Sequence, residues 1–375
     1  MNILFIANGI PTPQYPLMGI FELDQAKALA QEGHNVILFG IDLRSIRRKR
    51  PLGLYLIEKA GVKQYIFSLP VGAVPTGILC FIGRWALRYL YNKVFRSNHK
   101  PDIIHAHFTE IGYIASKLAQ EERIPLVITE HSSKINQKDI PYPLKKYADY
   151  AYRHANVIIS VSNALKKNIF YNFGIQSQVI PNIISLENFS YCPKEHIGFG
   201  YISTANLVEI KCPELLIYAF AEIHNIYPST FLGLVGNGPL KTKLEHLVKK
   251  LSLEDSVFFY GQLSRKQIAK LYSNYDCFVL ASSSETFGVA YIEAMACGLP
   301  IIATKCGGPE DFVNENNGLL VATNSLKELV SGMITMHDNY FKYDRASINR
   351  YAIDNFSPNK IAEKLLKLYW SVYEE

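Results

Sequence analysis

The stretch ASSSETFGVAYIEAMACGLPIIATKCGGPED, Ala281 to Asp311, decides the fold. The apolar run before it, Cys277-Phe278-Val279-Leu280, has the composition of a buried strand and enters a serine-rich turn. A helix-like run opens at Gly288, and a second strand, Pro300 to Ala303, ends in Gly307-Gly308-Pro309. The pattern predicts strand, turn, helix and strand in succession. Its polar residues fall just past strand ends, where open α/β sheets bind ligands. Glu285 and Glu293 lie eight residues apart. On one helix, rising about 1.5 Å per residue, they stand about 12 Å apart and on a similar side. The expected helix start, around Phe287, Gly288 and Val289, falls between them. Its free N–H groups and positive dipole end favour phosphate, and Gly288 has no side chain to block close approach. Such a stretch suits a sugar at one end, a pyrophosphate in the middle and a ribose at the other, each carboxylate accepting from hydroxyls. Taken alone, a glutamate pair at this spacing is more often two solvated side chains on a surface helix.

Working outward, the 375 residues suggest two or three domains, and an apolar fraction of 49% suits a globular chain with full cores. The start, Met1-Asn2-Ile-Leu-Phe-Ile-Ala, runs into a turn at Asn8-Gly9 without a basic segment, so no signal peptide is expected. The cysteines at 80, 192, 212, 277, 297 and 306 form no C-x-x-C pair. Reduced thiols in a cytoplasm fit better than a zinc site or a disulfide framework. Charge is uneven: 22 Lys and Arg face 12 Asp and Glu up to residue 180, and 17 face 21 beyond it. A basic first half points to an anionic partner surface.

The first domain opens with an apolar strand, Asn2 to Ala7, and a Pro- and Gly-rich loop, Asn8 to Met18. Gly19 then begins a run with helical spacing at Phe21, Ala26, Leu29 and Ala30. Gly33 stops that run before a strand at Val36 to Phe39. This is a βαβ unit. Residues 44–50, RSIRRKR, carry five basic side chains: Arg44, Arg47, Arg48, Lys49 and Arg50. Gln64 to Gly83 is free of charge, but Pro70, Gly72, Pro75 and Gly77 interrupt it, so a membrane span is not expected. A strand from Tyr65 to Leu69 and a helix from about Gly77 to Arg96 are. Pro101-Asp-Ile-Ile-His105-Ala-His107 reads as a strand leaving a polar end. Its two histidines point the same way; the pair suits a metal, but no Cys or third His is near in sequence. Further strands end at Glu130-His131-Ser132-Ser133 and at Ser162-Asn163.

Val179-Ile-Pro181-Asn182-Ile183 precedes a loop, Tyr191 to Ile197, after which Phe199 to Ala205 starts a second series of strands and helices. One strand there ends at Gly236-Asn-Gly238-Pro239. The dinucleotide fingerprint needs a Gly or Ala at 241, which is Lys241, so an NAD enzyme is disfavoured. Ile268 to Tyr272 reads as a short helix, Arg265 as the start of a loop, and Phe356-Ser-Pro358 as the cap of a last helix ending around Trp370.

The run from Glu285 to Glu293 and on to Pro300 resembles the E-x7-E signature of the family 4 retaining glycosyltransferases. Gly307-Gly308-Pro309-Glu310 resembles the same family's next loop. The segment around Gly19 is similar to the family's N-terminal loop at the reaction centre. His107 matches the second histidine of its D-x-x-H-x-H strand. Gly236 and Gly238 match its G-x-G-P at the nucleotide edge. The crossover motif PN-G-V-D is matched in part, with Ile183 in place of glycine. The family's G-R-L-x-x-x-K-G segment corresponds to Ala205-Asn206-Leu207-Val-Glu-Ile-Lys211-Cys212, which keeps the lysine and has Asn206 where the family has arginine. Asn206 still donates to phosphate, but without charge; a hydrogen bond to a charged group is worth about 1.5–3 kcal/mol. The resemblance is dense from Ile202 to Val321 and thin before it.

The resemblance implies a GT-B architecture: α/β, two Rossmann-like domains facing across a cleft. Residues 1–182 form the acceptor-side domain, with a helix at about 357–375 crossing back to it, and residues 183–356 the nucleotide-sugar domain. It implies retaining transfer from a UDP- or GDP-sugar, UDP preferred, to a glycan or lipid-linked acceptor in cell-surface polysaccharide synthesis. Glu285 would hold the transferred sugar and Glu293 the ribose. Lys211, Asn206 and the amides at Phe287, Gly288 and Val289 would stabilise the departing diphosphate. His107 would touch the donor sugar, and the leaving phosphate would help deprotonate the acceptor, so no general base is named. No cofactor and no metal are expected, because the chain has no Asp-x-Asp pair. The basic run and the segment Ile78 to Arg96, with Trp85 and Phe81 beside Arg84 and Arg88, suggest peripheral docking on an anionic membrane surface. Three alternatives compete: a sugar-nucleotide epimerase, a non-catalytic nucleotide-sugar-binding or scaffold protein, and a nucleic-acid binder. The last lacks a recognition motif, and its basic residues are too localised.

Overall fold

The computed structural model describes residues 1–375 except 13, 14, 16, 17, 44–50, 72, 73, 97, 98, 192, 194–197 and 375. The basic run Arg44, Arg47, Arg48, Lys49 and Arg50 and most of the expected loop Tyr191 to Ile197 therefore lie outside the described residues. The chain divides into two compact units, Met1–Ile183 with Pro358–Glu375, and Ile184–Ser357.

The first unit is built on eight strands: β1 (Asn2–Ala7), β2 (Asn35–Asp42), β3 (Gly53–Lys59), β4 (Val62–Ser68), β5 (Ile103–His107), β6 (Leu126–Glu130), β7 (Val157–Ser160) and β8 (Gln178–Val179), in the order β3-β4-β2-β1-β5-β6-β7-β8. All neighbours are parallel except β3 and β4. β1 and β5 are buried along nearly their whole length, because helices cover both faces of a parallel sheet and leave no solvent side for alternation. The strand order reverses between β1 and β5, the position at which open α/β sheets form a crevice suited to ligands.

β3 is an edge strand that the sequence reading does not contain. It is mostly exposed, carries Glu58 and Lys59, and joins β4 through Ala60 and Gly61, both at positive φ. That is the two-residue turn whose twist matches a hairpin. Its apolar residues Leu56 and Ile57 face water, so the alternation that marks a half-buried strand is absent.

The helix Pro358–Tyr373 belongs to this first unit. Ile361, Ala362, Leu365, Leu368, Tyr369 and Val372 recur at helical spacing and join the core that also holds Leu23, Ala26 and Leu29 of the helix Ile20–Gln31.

The second unit has six parallel strands: β9 (Phe199–Thr204), β10 (Thr230–Val235), β11 (Val257–Gly261), β12 (Cys277–Leu280), β13 (Ile301–Thr304) and β14 (Gly318–Val321), in the order β11-β10-β9-β12-β13-β14. Here the reversal lies between β9 and β12, so the segments leaving these two strands, at Ala205 and Ala281, flank the crevice. No helix among the described residues is long and apolar enough to cross a membrane.

Candidate active site

In the second unit the chain leaves β12 through Ala281 and Ser282 and stays extended at Glu285. Glu285 makes a single β-bridge with Gly307: its N–H donates to the Cys306 carbonyl at 3.0 Å, and its own carbonyl accepts from Gly308 N–H at 3.0 Å. The carboxylate is buried. Oε1 accepts from Lys211 Nζ at 2.6 Å and from Ser282 Oγ at 2.8 Å. Lys211 ends the 3₁₀ turn Glu209–Lys211 that follows β9. Ser283 N–H donates to the Ile210 carbonyl at 2.9 Å and docks the same turn. The loops leaving β9 and β12 are thus tied by an ion pair, a main-chain bond and a bond from Ser283 Oγ to the Ile210 carbonyl at 3.2 Å, at the point where the strand order reverses.

The helix that follows is Val289–Ala296, with Gly288 at its N-cap at φ 93°. A Cβ on Gly288 would stand 2.5 Å from the Tyr291 ring, and one on Gly308 would stand 2.3 Å from Phe287 Cα. Gly308 is required for the two loops to lie against each other, and Gly288 for the chain to turn into the helix at positive φ beside the Tyr291 ring. Phe287 itself is buried against Phe312 and Phe356. The expected helix start between the two glutamates is therefore present. The expectation that one helix presents both carboxylates is not: Glu285 lies before the helix, in the bridge to Gly307, and only Glu293 is helical. The bridge takes up the backbone groups that a further helical turn would need.

Glu293 is buried, and its Oε1 lies 3.3 Å from Arg265 Nε, with both side chains 10% exposed. Arg265 is not in a loop. It is the first residue of the helix Arg265–Tyr272, which Ser264 and Gln267 start with a reciprocal capping box. The Tyr272 hydroxyl is pushed well above its ordinary pKa by burial and then by the charge of Glu293.

Gly236, at φ 131°, and Gly238 sit where the segment after β10 lies backbone to backbone on the one after β9. A Cβ at Gly236 would meet the Ala205 carbonyl oxygen at 1.9 Å, and one at Gly238 the Leu207 oxygen at 2.3 Å. Leu207 N–H donates to Asn237 O at 3.0 Å, and Leu240 N–H to Leu207 O at 3.2 Å. These glycines shape the rim that carries Asn206, whose side chain is exposed. Asn206 and Lys211 line one small cleft with Ser203, Ala205 and Leu280.

In the first unit, His107 ends β5 and is fully buried. Its ring stacks on His105, centroids 4.4 Å apart, and on Phe5, and its Nδ1 lies 3.0 Å from His131 Nε2. Phe21 covers the other side of His131, ring centroids 6.4 Å apart. Gly19, at φ 66°, makes this approach feasible: it caps the helix Ile20–Gln31 where a Cβ would lie 2.3 Å from the Gly9 carbonyl oxygen. His105 is engaged on both ring nitrogens, by Tyr369 hydroxyl at 2.5 Å and by Thr129 Oγ1 at 2.7 Å. Burial pushes all three imidazoles below their ordinary pKa, His105 to about 3 and His131 to about 4. Sequence reasoning saw His131 only as a polar strand end. Its position past β6, one strand over from His107, was the available signal. The fold thus supplies a third histidine, yet the described residues include no group of three or more His, Cys, Asp or Glu placed to hold a metal ion.

Glu130, beside it, is buried and saturated. It accepts from Thr109 Oγ1 at 2.7 Å, Tyr152 hydroxyl at 2.6 Å, His131 N–H at 2.9 Å and Ser132 N–H at 2.8 Å. Burial raises its pKa, and these donors oppose the rise. Glu130 fixes the backbone that carries His131.

Comparison with known proteins now identifies the class. Solved structures share the fold over essentially the whole chain. Sucrose-phosphate synthase from Thermosynechococcus elongatus gives a TM-score of 0.82 at 22% identity, covering 100% of this chain and 99% of that one. HepE from Anabaena, in complex with UDP-glucose, gives 0.76 at 21%, covering 99% and 100%. The architecture is that of the GT-B glycosyltransferases. Residues 19–188 match the family model described as Glycosyltransferase Family 4, and residues 199–368 match that of Glycosyl transferases group 1. N-acetyl-alpha-D-glucosaminyl L-malate synthase of Bacillus anthracis is 27% identical over 301 residues, covering 73% of this chain and 76% of the relative. The chain belongs to the family 4 glycosyltransferases.

Proposed function

We propose that this glycosyltransferase moves a sugar from a nucleotide-diphospho sugar, UDP- ahead of GDP-, to a glycan or lipid-linked acceptor in cell-surface polysaccharide synthesis, with retention of configuration and without a metal. The observation that carries the proposal is the Lys211–Glu285 pair at the sheet reversal, adjoining the Gly288 helix start. An ammonium has three donors, so Lys211 keeps its bond to Glu285 while donating to a phosphate oxygen. With the amides at Phe287, Gly288 and Val289 it supplies positive potential where the leaving group gains charge. Glu285 then orients hydroxyls of the transferred sugar, Glu293 takes the ribose, and His107 accepts from a sugar hydroxyl. In the reaction the bond between the anomeric carbon and the β-phosphate oxygen breaks, and its electron pair goes to the diphosphate. The acceptor oxygen bonds to the same face of that carbon, and its proton passes to the departing phosphate. The UDP-glucose in the HepE complex favours a uridine nucleotide. A screen of sugar nucleotides for acceptor-dependent turnover, with the anomeric form of the product read by NMR, tests the reading. Inverted product, or interconversion of donor sugars without an acceptor, refutes it.

A second element of the proposal concerns the acceptor. Ile78, Phe81, Trp85 and Tyr89 are exposed on one face of the helix Thr76–Phe95, and we read this face as a seat in a lipid headgroup layer. Part of the basic charge on this face is paired. Arg84 pairs with Glu121 at 2.7 Å, Arg88 with both Glu121 and Glu122, and Lys100 with Glu122 at 2.8 Å. The two carboxylates of the neighbouring helix Thr109–Glu122 offset part of the charge of these three cations, so apolar burial adds to what charge remains on this face.

A further inference from the structure

The histidine pair of the first unit has a direction. Three atoms around it are closed off from solvent and make no hydrogen bond meeting ordinary criteria among the described residues: Asn182 Oδ1, His131 Nδ1 and His107 Nε2. Buried polar atoms without partners are rare, so these three call for an account. Two of them belong together. The side chain of Asn182, itself buried, lies beside His131, and its buried atom without a partner is the amide oxygen, an acceptor. An oxygen can only accept, so the hydrogen sits on His131 Nδ1.

We infer that Asn182, His131 and His107 form a hydrogen-bonded relay that fixes His107 as the Nδ1–H tautomer and leaves its buried Nε2 as a bare acceptor. The steps follow from the valence of neutral imidazole, which carries one N–H and one lone pair. With its hydrogen on Nδ1, His131 offers a lone pair at Nε2. The 3.0 Å contact then runs from His107 Nδ1–H to His131 Nε2. His107 has no second hydrogen, so Nε2 is a lone pair without a partner. Stacking on His105 and Phe5 holds the His107 ring, and Phe21 holds His131. The four hydrogen bonds on Glu130 hold the backbone under His131. Asn182 is in this sense a positioning residue: it sets the polarity of an atom two side chains away. The chemical consequence is selective. A bare imidazole nitrogen takes a hydrogen bond from a hydroxyl and cannot give one to a carbonyl or a phosphate oxygen, so His107 recognises a sugar hydroxyl by its hydrogen.

This assignment rests on the proposed role of His107 toward a sugar, but its test does not need one. Long-range proton–nitrogen correlation spectra of the full ¹⁵N-labelled chain at neutral pH, with His107 assigned against His107→Gln, separate the two neutral tautomers. The expected result is the Nδ1–H form in the free protein. Asn182→Leu should move His107 toward the Nε2–H form and lower kcat about tenfold, in the range usual for partners that orient a functional imidazole, with KM for the donor little changed. Asn182→Asp, which keeps an acceptor, should retain the Nδ1–H form and most of the turnover. A His107 found as Nε2–H in the unaltered protein overturns the relay. A tautomer unmoved by Asn182→Leu overturns it equally. If Asn182→Leu does not fold, the spectrum of the unaltered chain still decides. If no sugar nucleotide is turned over, the functional reading fails while the tautomer remains measurable.

Discussion

Lys211 and Glu285, 74 residues apart in sequence, meet at 2.6 Å. The cation proposed to meet the leaving phosphate is thus held by the carboxylate proposed to meet the sugar. Charge-assisted hydrogen bonds in partly buried sites are worth about 1.5–3 kcal/mol, so each side chain positions the other. Glu285→Ala should nearly abolish transfer, and Lys211→Met should lower kcat by a similar order. Lys211→Met also leaves a buried carboxylate without its cation and should cost roughly 1–2 kcal/mol of stability, discounted because the lysine is partly exposed. In the double variant Lys211→Met, Glu285→Gln, stability should return while activity does not. Urea denaturation and steady-state kinetics on the three variants check this; unchanged turnover in folded Glu285→Ala would sink the assignment.

Glu293 stands 3.3 Å from Arg265 and carries the proposed contact to ribose. Glu293→Ala should therefore raise KM for the donor by about tenfold or more with a smaller effect on kcat, the pattern of lost ground-state binding. Isothermal titration with the nucleoside diphosphate gives the same ratio independently of chemistry. A variant that loses kcat with KM intact would place Glu293 in the chemical step instead.

Transfer should survive chelation. Lys211 and the Gly288 helix start are proposed to supply the positive potential that a divalent ion supplies elsewhere. Activity assayed in EDTA should match that in magnesium or manganese. Loss in EDTA with recovery on adding metal would overturn the metal-independent reading.

The buried imidazoles should make the protein acid-sensitive. His105 is pushed down to about 3 by burial and then by His131, whereas a histidine in the unfolded chain titrates near 6.5. Between those values the unfolded state binds the extra proton. This group's contribution is complete above pH 6.5 and declines as pH falls, by about 1.4 kcal/mol per pH unit. Denaturant midpoints at pH 7, 6 and 5 should fall accordingly, and less steeply in His105→Gln. A flat profile would show that the cluster opens to water.

Phe81→Ser and Trp85→Ser remove exposed apolar groups without touching the core. Cosedimentation with lipid vesicles should weaken in both. Because Arg84 and Arg88 are paired with Glu121 and Glu122, the part of the binding owed to Phe81 and Trp85 should change little over a salt series. Recovery with vesicles that is unaffected by either substitution would dismiss this face as the seat.

Much of this was legible in the sequence because parallel strands are short apolar runs whose ends are marked by glycine and polar residues. β1 and β12 have the bounds the sequence suggested, and the helix start at Gly288 was visible from its glycine. What stayed hidden was long-range or unpatterned. The pairing of Lys211 with Glu285 joins two loops that only the sheet order brings together. The placement of Glu285 outside the helix depends on its bridge to Gly307, which no local period announces. His131 lies 24 residues from His107, and the parallel pairing of β5 with β6 removes that separation. β3 escaped notice because an exposed edge strand has no inward face to write into its sequence.

The return of Pro358–Tyr373 to the first unit bears on how the chain matures. Residues 1–183 emerge from the ribosome first, yet their core lacks Ile361, Leu365 and Leu368, and the ring of His105 lacks the Tyr369 hydroxyl. The second unit, by contrast, has all of Ile184–Ser357 in hand before that helix is made. During synthesis the order of completion is therefore inverted relative to the order of emergence. The histidine cluster is assembled last, after the second unit is already whole.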